Sequence, residues 1–157
     1  MKKIKLSQGK CALVDNKDYE WLNQYKWCVG ECNGHYYAMR KYKNTSQRMH
    51  RFIMGLTPDD GKETDHINRD GLDNRRTNLR IVTHLQNSHN SCAKKHRENA
   101  TSQYKGVSKK RDKWRVRCMI EGIGYHIGTF QTEWEAAVAY NNFASSFMGE
   151  YAHLNSI

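Results

Sequence analysis

Apolar residues change their spacing along this chain, and each change predicts a different kind of element. Up to about residue 56 they come in short aromatic and aliphatic bursts, "KCALVD", "YEWLNQYKWCVG", "GHYYAMRKY" and "RMHRFIMG", broken by Gly and Asn. Alternation in "HYYAMRKY", behind the Asn33-Gly34 step, predicts a β-hairpin. "RMHRFIMG" is too short to assign by period and fits the start of a helix. Further on, Leu79 to Thr83 has the β-branched content of a short strand. Thr83 and Gln86 have the spacing of a capping box, which predicts a helix beginning there with Asn87 in its first turns. Asp70 to Asn78, rich in Gly, Asp and Asn, is loop. The local order is therefore a strand ending near His66, a long loop, a strand and a helix.

Residues 89–103, "HNSCAKKHRENATSQ", lack any large aliphatic or aromatic side chain and read as a basic linker. From Tyr104 the chain alternates as strands do, with turns expected at Lys110–Asp112 and Glu121–Gly124. "TEWEAAVAYNNFASSFMG" then carries Ala, Val and aromatics at helical spacing, with a Thr132 cap and a Gly149 stop. Three strands followed by one helix is the simplest reading. The expected fold class is α+β, with one module over residues 1–92, a linker over 93–103 and a second module over 104–157. There is no tandem repeat.

Charge narrows the list of partners. A formal net charge of +10 over 157 residues favours polyanions, with nucleic acid foremost and anionic membrane surfaces second. No stretch approaches the roughly 18 apolar residues of a spanning helix. The N-terminal lysines are not followed by the apolar region of a signal peptide. The expectation is a cytoplasmic protein with no membrane partner. Five scattered cysteines suit reduced thiols. Cys28 and Cys32 are spaced like half a zinc site, to which His35 and Cys92 could contribute. Tetrahedral sites usually show two ligand pairs in sequence, so thiols packed as small hydrophobes are expected instead.

The segment "TDHINRDGLDNRRTNLRIVTHLQN" at 64–87 holds the candidate chemistry. A solvated loop is its plain explanation; a metal site for a phosphodiester is the other. Cleaving such a bond requires a proton acceptor for water and charge to meet the phosphorane and the leaving 3′-oxygen. A neutral His66 can accept the proton. Asp65 and Asn87 offer hard oxygens to a divalent ion, and Mg²⁺ suits so sparse a site, with Mn²⁺ as the alternative. Asn78 cannot titrate, and in a catalytic set its work is to hold the loop so that His66 points correctly. Arg69, Arg75, Arg76 and Arg80 are available for phosphates. His50 either faces the site and its substrate or packs under the sheet. His84 and His89 are expected to be solvated helix residues, and Asn68 and Asn74 turn formers.

With "MHR" at 49–51, "DHIN" at 65–68, "DNRRTNLR" at 73–80 and "NSHN" from 87, the segment resembles the HNH nucleases, specifically phage and intron-encoded homing-type endonucleases. His66, Asn78 and Asn87 fall where that family has its three name-giving residues. The resemblance covers most of residues 1–92, because "ALVDNKDYEWLNQYKW" is also similar to the segment preceding such domains. It implies a ββα-metal fold, His66 as general base, Asp65 and Asn87 as metal ligands, and a bacterial or phage-infected host cell.

In the second module, Trp114, Val116 and Cys118 should share one face of a strand, and Lys113, Arg115 and Arg117 the other. A basic sheet face backed by a helix suits the DNA major groove; an ordinary solvated face is the plain alternative. "YKGV" (104–107), "KWRVR" (113–117), "GTF" (128–130), "EAAVAY" (135–140) and "MGEYAHLN" (148–155) resemble the AP-two (ethylene-response-factor) DNA-binding domain, although Asn141 stands where Asp is commoner. That resemblance implies base and backbone contacts from Arg111, Lys113, Trp114, Arg115 and Arg117. The two modules together are a known arrangement among phage and mobile-element HNH endonucleases. The expected activity is metal-dependent, site-specific cleavage of double-stranded DNA by a monomer without a small-molecule cofactor. The alternatives are a DNA-binding regulator with an inactive HNH module and, more remotely, an RNA binder.

Overall fold

The computed structural model describes residues 1–32, 34–90 and 100–157. Asn33, Cys92 and most of the expected linker, residues 93–99, lie outside the described residues. The chain folds as two compact units, Met1–His84 and Leu85–Ile157. Both mix helices with small antiparallel sheets, in keeping with the α+β expectation.

The first unit opens with β1 (Lys2–Lys5) and β2 (Cys11–Val14), an antiparallel pair. Ile4, Ala12 and Val14 alternate inward and are buried. Helix α1 (Asn16–Leu22) follows; its mixed sequence gives no clear apolar stripe, and sequence alone did not assign it. Strands β3 (Cys28–Cys32), β4 (His35–Tyr42) and β5 (Thr45–Arg48) form one sheet in that order. The expected hairpin is the β3–β4 pair, closing with Cys32 opposite His35. The "RMHRFIMG" segment does form a helix, α2 (Met49–Ile53). Trp27, Ala38, Met49, Ile53 and Leu79 join the β1–β2 residues and Leu22 in one core. Strands β6 (Glu63–His66) and β7 (Leu79–Val82) pair antiparallel on either side of the long loop, and α3 (His84–Asn90) follows.

The second unit has the order read from sequence: β8 (Val107–Lys110), β9 (Lys113–Ile120), β10 (Ile123–Phe130), then α4 (Glu133–Met148). The sheet order is β10-β9-β8. Both turns lie where expected, with Arg111 and Glu121 taking left-handed backbone. Thr132 and Glu135 close a reciprocal capping box at the start of α4. Val116, Cys118, Ala136, Ala137 and Tyr140 form the centre of the core. The Asn141 and Asn155 side chains lock the C-terminal tail to α4 and to the backbone of Lys105.

Gly106 sits in this core's tightest corner. Its φ is +78°, and an added Cβ would lie 2.2 Å from the Tyr140 ring and 2.6 Å from the Arg117 carbonyl oxygen. Gly106→Ala should destabilise the fold by about 1–3 kcal/mol, the usual cost of overpacking, and should lower the midpoint of thermal unfolding. An unchanged midpoint would contradict this packing.

Candidate active site

Residues 67–78 form a loop that must satisfy a dense set of polar groups without regular secondary structure. The Asn78 side chain satisfies two of these backbone groups and one side chain. Its Oδ1 accepts from the Asn68 backbone N–H at 2.9 Å, while its Nδ2 donates to Asn68 Oδ1 at 2.9 Å and to the Asp73 carbonyl at 2.8 Å. Asn68 makes the turn expected of it, its Oδ1 also accepting from the Asp70 N–H. Its Nδ2 reaches the Asp73 carboxylate at 2.9 Å.

Ion pairs tie this loop to the rest of the unit. Arg75 grips the buried Asp73 through two donors, at 2.7 and 2.5 Å. Arg76 reaches back to α1, pairing with the buried Asp18 at 2.8 and 2.9 Å. The arginine partners hold both carboxyls below the usual carboxylate range. Strand β2 lies alongside: the Leu13 N–H donates to the Leu72 carbonyl, and the Asn74 N–H donates to the Leu13 carbonyl, both at 2.8 Å. Arg75 and Arg76, expected at phosphates, are thus engaged within the unit. Arg69 occupies a left-handed turn position.

At the mouth of this loop stand Asp65 and His66, the last two residues of β6. Successive side chains on a strand point to opposite faces. Asp65 faces Arg80, its partner in register, whose Nε and Nη2 both donate to Asp65 Oδ2, at 3.0 and 2.8 Å. His66 packs edge-on to His50, with ring centroids 4.7 Å apart. The Tyr37 ring lies 5.8 Å from His50 and 6.1 Å from His66. Gly71 makes this grouping possible, since a Cβ there would meet the Tyr36 carbonyl at 2.4 Å and the Tyr37 ring at 2.6 Å. His50 is 3% exposed, and its Nδ1 is buried with no hydrogen-bond partner among the described residues.

Burial pushes both imidazoles toward the neutral form, His50 well below its usual value and His66 less so. For His66 the Asn74 side chain and the carboxylates of Asp65, Asp70 and Asp73 pull the other way. Asn74, fully buried beside His66, is a residue that sequence reasoning treated only as a turn former. A run of loop-type residues gave no signal that one of them turned inward. A buried, neutral imidazole next to a carboxylate can accept a proton at neutral pH, which is equipment for activating water.

Asn87 lies on α3 within the second unit and is half-buried. His89, expected to be solvated, is buried instead; its carbonyl accepts from Lys105 Nζ at 2.9 Å and from the His153 N–H at 3.3 Å. On β9, Lys113 and Arg117 are exposed and Arg115 is half-buried, while Trp114 packs against the core cluster. Arg111 is exposed in the β8–β9 turn. Among the described residues no group of three or more His, Cys, Asp or Glu side chains is arranged to hold a metal ion. No helix among them is long and apolar enough to cross a membrane.

A buried imidazole beside a carboxylate at the end of β6 is equipment suited to activating water. The family profile described as HNH endonuclease matches residues 50–89, a span that contains most of α2, β6, the locked loop, β7 and most of α3. Over 156 residues the chain is 31% identical to an uncharacterized HNH endonuclease of Acanthamoeba polyphaga mimivirus, covering 96% of this chain and 77% of that protein. No solved structure matches. The chain belongs to the HNH endonucleases and is a DNA-cleaving hydrolase.

The depressed imidazole values carry a pH consequence. Unfolded histidines take up protons near 6.5, whereas folded His50 and His66 resist until lower pH. Their contribution to stability is therefore complete above 6.5 and declines as pH falls below it. Thermal unfolding followed from about pH 7.5 down to about 5 should show a falling midpoint, with a shallower fall in His50→Asn. A midpoint that stays level through that range would contradict the burial of the pair.

Proposed function

We propose that this chain is a metal-dependent, site-directed DNA endonuclease in which His66 is the general base. The observation that carries the reading is the buried His66 ring, which burial pushes toward the neutral form, held by His50 and Tyr37 at the mouth of a locked loop. In that role His66 removes a proton from the attacking water. Asn78 is a positioning residue: it never meets the substrate, but it fixes the loop on which His66 depends. Arg69 and the partly exposed faces of Arg75 and Arg76 supply positive charge to the phosphate.

HNH endonucleases generally use a divalent metal ion. The donor set fits a sparse, oxygen-ligated ion of the Mg²⁺ type, for which one carboxylate and waters can suffice. Asp65 is the ligand in the first unit, and Arg80, bonded to its Oδ2, would orient the carboxylate. Asn87 as the second ligand rests on the sequence pattern alone. When bound, Mg²⁺ or Mn²⁺ supplies charge for the phosphorane and the leaving oxygen. The exposed Lys113 and Arg117 and the half-buried Arg115, together with Arg111 and Trp114, support the reading of the β8–β10 sheet as an AP-two-like module that selects the DNA site. Residues 1–92 and 104–157 are then the nuclease and targeting modules.

Supercoiled plasmid and genomic DNA incubated with Mg²⁺ should be converted to nicked or linear products. EDTA should abolish the conversion, and His66→Ala should slow it by about a hundred- to ten-thousandfold. Conversion by His66→Ala at the wild-type rate would remove the proposed base. Duplex binding without any conversion would leave the DNA-binding regulator as the better reading.

A further inference from the structure

The first unit has a second basic feature that shares no lining residue with the His66 site. A groove of about 1080 Å³ is lined by Lys3 and Lys5 of β1, Lys26, Arg40 and Lys41, with Tyr25 and Tyr42 among its walls. Among the described residues no carboxylate lines it. The lysines and both tyrosines are exposed, so all the charge that the described lining presents to solvent is positive, set among aromatic faces and a few neutral side chains such as Ser7, Asn23 and Cys28.

Arg40 is the unusual member. It is 7% exposed, and Phe52 and Tyr25 stack on it with centroids 4.1 and 3.7 Å from its guanidinium carbon. Trp27 and Tyr42 stand further out, at 5.4 and 5.5 Å. Its Nε donates to Gln47 Oε1 at 2.9 Å. Among the described residues no carboxylate pairs with it and its Nη atoms make no hydrogen bond. A buried charge is normally paired. Aromatic faces stabilise a guanidinium but leave its in-plane donors unused. This arrangement fixes the fork in place and leaves its donors available to the groove, where the matching acceptor is a phosphate.

We propose that this groove is a phosphate anchor for the DNA backbone, separate from the point of cleavage. Arg40 grips one phosphodiester, and the surrounding lysines neutralise its neighbours along the strand. The proposal rests on DNA being the substrate, but it does not require that His66 be the base. Contacts of this kind position a duplex without reading its sequence, so the groove would set the register in which the cleavage site meets the strand.

Lys26 and Lys41 are exposed, and replacing them leaves the aromatic packing around Arg40 intact. The test compares the full chain with Lys26→Gln/Lys41→Gln, using fluorescence anisotropy with a duplex oligonucleotide in EDTA across a salt series. EDTA removes cleavage from the measurement, so failure of the nuclease reading leaves this test intact. Each phosphate contact contributes about 0.9 to the slope of log affinity against log salt, so the double variant should show a slope shallower by about 1.8. Arg40→Gln, if folded by circular dichroism, should lose a further increment. An unchanged duplex slope in the double variant would overturn the proposal. So would an unchanged duplex slope accompanied by lost binding to phosphatidylserine vesicles, which would make the groove a lipid site.

Discussion

The side-chain amide of Asn78 is the constraint on which the first unit depends. Its three hydrogen bonds close residues 68–78 into a knot from the inside. A loop this polar cannot be buried unless its backbone groups find partners, and it has no ladder to supply them. With the knot tied, Asp73 is presented to Arg75, Arg76 reaches Asp18 on α1, and β2 runs beside residues 72–74. The N-terminal hairpin and α1 are thus fastened to the same loop that ends beside His66. An uncharged amide suits this place, since it donates and accepts at once and adds no further negative charge beside Asp73.

Around that knot, two kinds of arginine do different work. Arg75, Arg76 and Arg80 spend their donors on carboxylates of their own unit. Arg40 is held by aromatic rings and, among the described residues, has no such carboxylate. The first kind holds the protein together and contributes field to the substrate secondarily. The second is arranged as a ligand-binding group is arranged, with its orientation fixed before anything arrives. In a chain with net charge +10, which cations face inward acids and which face open grooves matters more than how many there are.

Much of this architecture was legible because it follows short-range rules. The β3–β4 hairpin, β7, the start of α3 and the whole β8–α4 succession follow from two-residue alternation, turn residues and caps. Helix α1 was not legible: "NKDYEWL" buries only Asp18 and Leu22, and what orders it is distant, the Arg76 ion pair together with packing of Leu22 and Trp21 on the core. The loop's asparagines were visible, but their division of labour was not. Asn78 as the clamp could be argued from its inability to titrate, whereas the burial of Asn74 beside His66 depends on β2, sixty residues earlier in the chain. Partners of individual arginines are set by tertiary packing and leave no local mark. Arg40 did leave a faint one, because alternation places it on the inward face with Ala38 among aromatic-rich segments. His50 could be narrowed only to two alternatives from sequence; its ring contact with His66 comes from tertiary packing.

Because the knot orders the loop and, in the proposed mechanism, aims the base, Asn78 is where structure and activity are most directly linked. The decisive measurement is the single-turnover DNA cleavage rate of Asn78→Ala beside wild type, with circular dichroism confirming that the variant is folded at the assay temperature. Removing the amide leaves the Asn68 N–H and the Asp73 carbonyl unpaired, at about 1–3 kcal/mol of stability. Misplacing the base by an ångström costs on the order of a hundredfold in rate. A folded variant slowed by about that factor is the predicted result. A folded variant cleaving at the wild-type rate would mean that the loop does not position His66.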